Sequence, residues 1–198
     1  MRKGMKTIQL LYFCAISLAA SGAADTAPNL LSNGGFEVVQ DGQAFGWTTS
    51  TGGKAKWRGF TLEAVAEGKE GMQAVRIPAP ESGDLALLFQ EVPANSLAHE
   101  QTLRLEVWGK AAERQQLQAV VSFKTPEGRR TVRVTHPGDG EWKRMSLLFD
   151  LPKNADLNSV NVELLVRSKG GSPVEVDGAR LWHEEIAPQY ELPESAHE

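Results

Sequence analysis

The sequence predicts an all-β domain built as a two-sheet sandwich. Three observations carry that prediction. From about Asn29 to His183 apolar residues recur at alternate positions in short runs, clusters of Gly, Pro, Asn and Asp separate the runs, and no stretch sustains the 3.6-residue period of an amphipathic helix. Eight or more such runs in one domain are more than a single half-buried sheet holds comfortably, so two packed sheets are expected.

In chain order, the first segment stands outside that domain. Arg2, Lys3 and Lys6 form a basic start, Ile8 to Ala20 is an apolar run, and Ser21-Gly22-Ala23-Ala24 supplies small residues for cleavage, the pattern of a secretory signal over residues 1–24. The run is shorter than the roughly 20 apolar residues a bilayer needs, and Ser17 and Ser21 weaken a spanning reading further. A secreted or periplasmic product is therefore expected, its domain covering residues 25–183. Strands are expected over Met72 to Ile77, Leu85 to Val92, Gln101 to Lys110, Gln116 to Lys124, Arg130 to Thr135, Trp142 to Asp150, Asn158 to Arg167 and Pro173 to Trp182.

The clearest is Gln101 to Lys110, with Leu103, Leu105, Val107 and Gly109 on one face and Arg104, Glu106, Trp108 and Lys110 on the other. Gln116 to Lys124 sets Leu117, Ala119, Val121 and Phe123 opposite Gln118, Ser122 and Lys124, and Val160, Val162, Leu164 and Val166 alternate with Asn161, Glu163 and Arg167. Phe89, in phase with Leu85 and Leu87, is expected in the core. Turns fall at Pro126-Glu127-Gly128, His136 to Gly140, Pro152-Lys153-Asn154 and Gly170 to Pro173. The segment 184–198 is acidic and apolar-poor, and is expected to be a flexible tail able to dock a protein partner.

Charge and cysteine narrow the function classes. Removing the three basic residues of the signal from the 21 leaves 18 against 25 acids, a net charge of −7 where the full chain has −4. That excess opposes nucleic acid and anionic membranes, whose binding runs on clustered cations. Arg129, Arg130 and Arg133 form the nearest thing to a basic patch and read as a solvated strand after the Gly128 turn. Cys14, the single cysteine, lies within the signal, so the mature domain is expected to carry no disulfide.

Three stretches go further than fold class. Asn29-Leu30-Leu31-Ser32-Asn33-Gly34-Gly35-Phe36-Glu37 followed by Gly46-Trp47, the strand from Trp142 through Met145, Leu147 and Phe149, and the close Val174-Glu175-Val176-Asp177-Gly178-Ala179-Arg180-Leu181 occur in that order. Together they resemble the carbohydrate-binding modules attached to bacterial cellulases and xylanases, families 4, 9 and 22, which are galactose-binding-like domains. The resemblance implies a jelly roll, and a structural calcium where the first and last strands meet, with Glu37 and Asp177 as side-chain ligands and main-chain carbonyls completing the shell. Glu70, in the loop Glu67-Gly68-Lys69-Glu70-Gly71, is the further candidate, and the alternative is that Glu37 and Asp177 serve only hydrogen bonds.

Sugar binding would use flat aromatic faces against pyranose C–H surfaces and polar groups for the hydroxyls. Trp108, set among Arg104 and Glu106 on the polar face of its strand, is the leading candidate, with Gln118 and Ser122 expected on the same kind of face. Trp57, flanked by Lys54, Lys56 and Arg58, is the second aromatic candidate, whereas Trp47 and Trp142 are assigned to packing. Burial under a loop is the competing reading for Trp108.

A hydrolase would need two carboxylates across a cleft, for which Glu106 with Glu163 is one of many pairs available by chance. Gly-x-Ser-x-Gly, His-Glu-x-x-His and P-loop patterns are absent from the sequence, and His99, His136, His183 and His197 are scattered. The expectation is a secreted, non-catalytic protein that holds a polysaccharide or oligosaccharide in a shallow groove. A structural or protein-interaction sandwich is the alternative, and a glycan-active hydrolase the third.

Overall fold

A computed structural model describes residues 27–52, 58–66, 68–80, 84–113, 115–168 and 172–184. Trp57, Lys54, Lys56, residues 1–26 and residues 185–198 lie outside the described residues, and with them the expected signal and most of the expected tail. The strands are β1 (Val39–Gln40), β2 (Gln43–Ala44), β3 (Thr48–Gly52), β4 (Glu63–Ala66), β5 (Gln73–Ile77), β6 (Leu85–Glu91), β7 (Gln101–Lys110), β8 (Gln115–Thr125), β9 (Gly128–Thr135), β10 (Trp142–Leu151), β11 (Asp156–Ser168) and β12 (Val174–His183). They form two five-stranded antiparallel sheets packed face to face, ordered β10-β7-β12-β5-β4 and β3-β6-β11-β8-β9, with β1–β2 as a separate hairpin. Below, these are the first and second sheets.

All eight expected strands are present, with ends that shift by one or two residues. The four short strands β1 to β4 went unread because their residues carry no alternation. Thr48-Thr49-Ser50-Thr51-Gly52 and Glu63-Ala64-Val65-Ala66 are edge strands that take their geometry from a neighbour's backbone.

Alternation phases the long strands correctly. Leu103, Leu105 and Val107 from β7 meet Leu117, Ala119 and Val121 from β8 and Val162, Leu164 and Val166 from β11, all at 0% exposure. Strand β6 corrects the expectation for Phe89. Its inward residues are Ala86, Leu88 and Gln90, while Leu85, Leu87 and Phe89 pair across with Arg167, Leu165 and Glu163 and so point outward. Both faces of β6 are apolar, so period two alone could not say which was the core face.

The first residues dock onto the last strand. Asn29 Nδ2 donates to the Ala179 carbonyl (3.0 Å) and its Oδ1 accepts from Leu181 N (2.9 Å), while Leu30 N donates to the Leu181 carbonyl (2.7 Å). Ala179 N in turn donates to the Gly34 carbonyl (2.8 Å). The approach leaves no room for a side chain at Gly34, where a Cβ would lie 1.9 Å from the Ala179 carbonyl oxygen. Gln90, 5% exposed, completes the docking by accepting from Ser32 N and donating to the Ser32 and Gly46 carbonyls. It holds the loop before Trp47, whose ring packs 5.2 Å from that of Phe36.

Gly34→Ala is expected to push this segment off β12 and lower unfolding free energy by about 1–3 kcal/mol, the usual cost of overpacking. Denaturant melts of the two proteins check it.

Candidate functional site

The outer face of the first sheet is a closed ionic surface. Arg104 gives a two-pronged hydrogen bond to Glu184 (2.9 and 2.7 Å), Glu106 faces Arg144 at 3.5 Å, and Arg76 joins Glu63 to Glu175, which also meets Lys110. The pKa directions agree. Hydrogen bonding from Arg104 holds the Glu184 carboxyl below the usual range. Burial pushes Glu175 upward, but its hydrogen bonds from Arg76 and Lys110 and their charges outweigh that and leave it lowered. Glu184, expected to begin a flexible tail, is instead fastened to the sheet, its N–H donating to the Thr102 carbonyl.

At the centre of this face β12 bulges between Asp177 and Arg180, and Gly178 at the bulge takes φ +56°. Asp177 stays beside Trp108 in the register, and the loop 68–71 lies over it, leaving it 0% exposed. Its Oδ2 accepts from Lys69 N (2.5 Å) and Glu70 N (2.7 Å), and its Oδ1 from Gly178 N (2.7 Å). Trp108 Nε1 donates to Glu70 Oε1 (3.1 Å), and Lys69 Nζ sits 6.0 Å from the Trp108 ring centroid. Burial pushes the Asp177 carboxyl above the usual range and the Glu70 charge adds to it, while the three backbone N–H groups oppose the shift without cancelling it. The stability linked to this raised pKa is therefore greatest below the unfolded carboxylate pKa and is lost as pH rises through the folded one.

The three carboxylates of the expected calcium site, Glu37, Glu70 and Asp177, thus surround one loop, but the chemistry there has the opposite sign. Calcium takes oxygens converging on one point at roughly 2.3–2.6 Å. Here the loop offers Asp177 amide N–H groups rather than carbonyls, and Met72 N donates likewise to Glu37 Oε1 (2.8 Å). The loop backbone fills the space beside both acids, since a Cβ on Gly68 would come 2.6 Å from Asp177 Oδ2 and one on Gly71 1.9 Å from Glu37 Oε1. Among the described residues no three His, Cys, Asp or Glu side chains gather as a metal site. As folded, these residues do not fit a calcium ion.

The second sheet presents a different outer face. Gln118, Val120 and Ser122 of β8 and Glu163 of β11 point away from the core yet are only 1–7% exposed, so they form the floor of a recess. A cleft of about 270 Å³ opens here, with Leu85, Leu87, Val120 and Leu165 as its apolar part and Gln118, Thr131, Glu163, Arg129, Arg133 and Arg167 as its polar part. Glu163 is held by hydrogen bonds from Arg129 and from the Ser122 hydroxyl, and Gln118 Nε2 donates to Thr135 Oγ1 (3.1 Å). Phe89, half-buried, stands on the same face opposite Glu163.

The sequence-derived candidates therefore divide between two faces. Gln118 and Ser122 lie on the floor of the cleft, whereas Trp108, Glu106 and Arg104 lie on the outer face of the other sheet, with the core between them. Strands β7 and β8 are neighbours in sequence but belong to different sheets, so the single groove expected from them does not form. The pair Glu106 and Glu163 is separated in the same way, and no cleft holds both. Trp57 is outside the described residues, while Arg58 is exposed and its carbonyl accepts from Thr51 N. Arg129 and Arg133, expected with Arg130 to form a merely solvated strand, line the cleft, as do leucines of β6 and β11 that the sequence did not mark. The usable signal was the outward phase of Glu163 and Arg167, but the β8–β11 and β8–β9 pairings that collect these residues are tertiary.

Comparison with solved structures places the fold. A family 16 carbohydrate-binding module aligns over 77% of this chain and 99% of its own with 18% identity and a TM-score of 0.56. A family 61 module solved with β-1,4-galactotriose aligns over 80% and 100% with 22% identity and a TM-score of 0.54. The enzymatically active domain of tailspike protein 4 from bacteriophage CBA120 aligns over 79% of this chain with 16% identity and a TM-score of 0.60, this chain spanning only 21% of that one. The chain thus shares the β-sandwich jelly-roll fold of these carbohydrate-binding modules. No protein-family model and no curated protein sequence matches it.

Two outcomes follow for the loop over Asp177. Trp108→Ala is expected to cost about 2 kcal/mol of stability through lost packing and an unpaired Glu70, read by thermal melting. A chelator is expected to leave the melting temperature of the wild-type protein unchanged, and a drop of several degrees would show the loop rearranging around a cation.

Proposed function

We propose that this protein is a secreted, non-catalytic carbohydrate-binding protein that holds a polysaccharide chain along the outer face of the second sheet. The observation that carries the reading is the recessed floor itself, where leucines adjoin Gln118, Glu163 and Thr131 in one cleft. An apolar strip with a few fixed hydrogen-bonding groups is what a sugar needs, because a pyranose presents C–H faces and hydroxyl edges together. The fold shared with carbohydrate-binding modules supports the same reading.

The non-catalytic part rests on the carboxylates. Glu163 is the one acid among the described residues lining the cleft, and Arg129 and Ser122 occupy it. Glycoside hydrolysis asks for two acids with opposed environments. A docking module for another protein is the second reading. It draws on the exposed Val38 and Phe45, joined by the hydrogen bond from Phe45 N to the Val38 carbonyl beside the β1–β2 hairpin.

Native affinity electrophoresis through gels containing polysaccharides tests the first reading. Retardation by at least one polymer is expected. Gln118→Ala should weaken it about tenfold with little change in the melt, since the side chain makes one internal hydrogen bond to the exposed Thr135. No retardation by any polymer would favour the docking module.

A further inference from the structure

The arginines of the cleft ask for more than a neutral sugar. Arg129, Arg133 and Arg167 project from β9 and β11 into it, and Glu163 is its one described acid. Arg129 is committed to Glu163 and Ser122. Among the described residues neither Arg133 nor Arg167 meets a carboxylate within ion-pair distance, so the cleft keeps two uncompensated guanidinium groups. Lys124, exposed and paired across from Arg129, adds a further cation at one end of the face, and Glu91, exposed opposite Asn161, is the acid nearest that end on β6.

The chain is net acidic, and on the first sheet's outer face Arg76, Arg104 and Arg144 each face a carboxylate, while Arg180 sits by the Trp182 ring. These two arginines, unpaired among the described residues, also stand on different strands. Arg133 sits one strand from Val120, in the row of Glu163, and Arg167 lies four residues further along β11. Strand spacing and rise put their Cα atoms roughly 16 Å apart. Charges carried on backbone positions that far apart can be met by anionic groups repeated along a chain.

Resting on the carbohydrate-binding reading above, we propose that the ligand is an acidic polysaccharide, with carboxylate or sulfate groups on its sugar residues meeting Arg133 and Arg167 while the rings lie over Leu85, Leu87 and Leu165. A guanidinium offers paired N–H donors in the plane that a carboxylate or sulfate accepts. A neutral chain would cover the same groups and offer its hydroxyls as acceptors, but no opposite charge to the guanidinium groups.

Calorimetric titration of the protein with polygalacturonate, a sulfated galactan, neutral β-1,4-galactan, neutral xylan and single-stranded oligothymidylate tests this, at about 0.05 M and about 0.5 M NaCl, where screening lengths differ severalfold. Binding to an acidic polysaccharide is expected, weakened at least about tenfold by the higher salt and about tenfold by Arg133→Gln or Arg167→Gln, with unchanged melts. Polygalacturonate alone would identify the charge as carboxylate, the sulfated galactan alone as sulfate, and either supports the proposal. Binding only to the neutral polymers, indifferent to salt and to both variants, would overturn the acidic ligand and leave the carbohydrate reading standing. Equal binding to oligothymidylate would overturn it in favour of a general polyanion surface, and no binding to any polysaccharide would overturn both readings.

Discussion

A carboxylate removed from water organises one whole side of this molecule. Asp177 is fully buried on an outer sheet face, which requires something to lie over it and to supply hydrogen bonds. The loop before β5 does both, its glycines letting the backbone come close enough for two consecutive amides to point at one oxygen. The β12 bulge at Gly178 supplies the third amide. Trp108 then closes over the loop through Glu70, and Glu37 fastens the other end of the loop through Met72 N. The start of the domain, the middle loop and the last strand are thereby joined by N–H to carboxylate bonds.

The two outer faces consequently have different characters. On the first sheet the arginine and glutamate side chains satisfy one another across neighbouring strands, from Glu63 through Arg76 and Glu175 to Lys110. Such a face is hydrated and self-contained, and an incoming ligand would have to break pairs in order to bind. On the second sheet the floor is recessed, partly apolar, and bordered by Arg129, which pairs with Glu163, and by Arg133 and Arg167, which meet no carboxylate among the described residues. A face of that kind gains from a ligand that supplies what it lacks. The asymmetry, more than any single residue, distinguishes the two faces.

What could be read from the residues follows from the arithmetic of a strand. Alternation in Leu103, Leu105 and Val107, or in Val160 through Val166, identifies the core face because only one of the two faces is apolar. The same logic fails at Leu85-Ala86-Leu87-Leu88-Phe89, where both faces are apolar, and at Thr48 to Gly52, where neither is. It also placed Trp108 outward correctly while leaving open what it would meet there. That answer came from a loop more than 30 residues earlier in the chain and a bulge about 70 residues later.

The sequence by itself determined an all-β sandwich and the inward and outward sides of most of its long strands, because both depend on local periodicity. The packing role of Trp47 and the meeting of the Asn29 to Phe36 segment with the last strand were implied by the family resemblance, since that contact joins residues about 150 positions apart. Only the tertiary structure decided that β7 and β8 part into different sheets, so that Trp108 and Gln118 end on opposite sides of the core. It alone gathered Arg133, Gln118, Glu163 and Leu87 from four strands into one cleft. Strand partners are chosen by the packing of the whole domain, and a single strand's sequence carries its facing but not its neighbours.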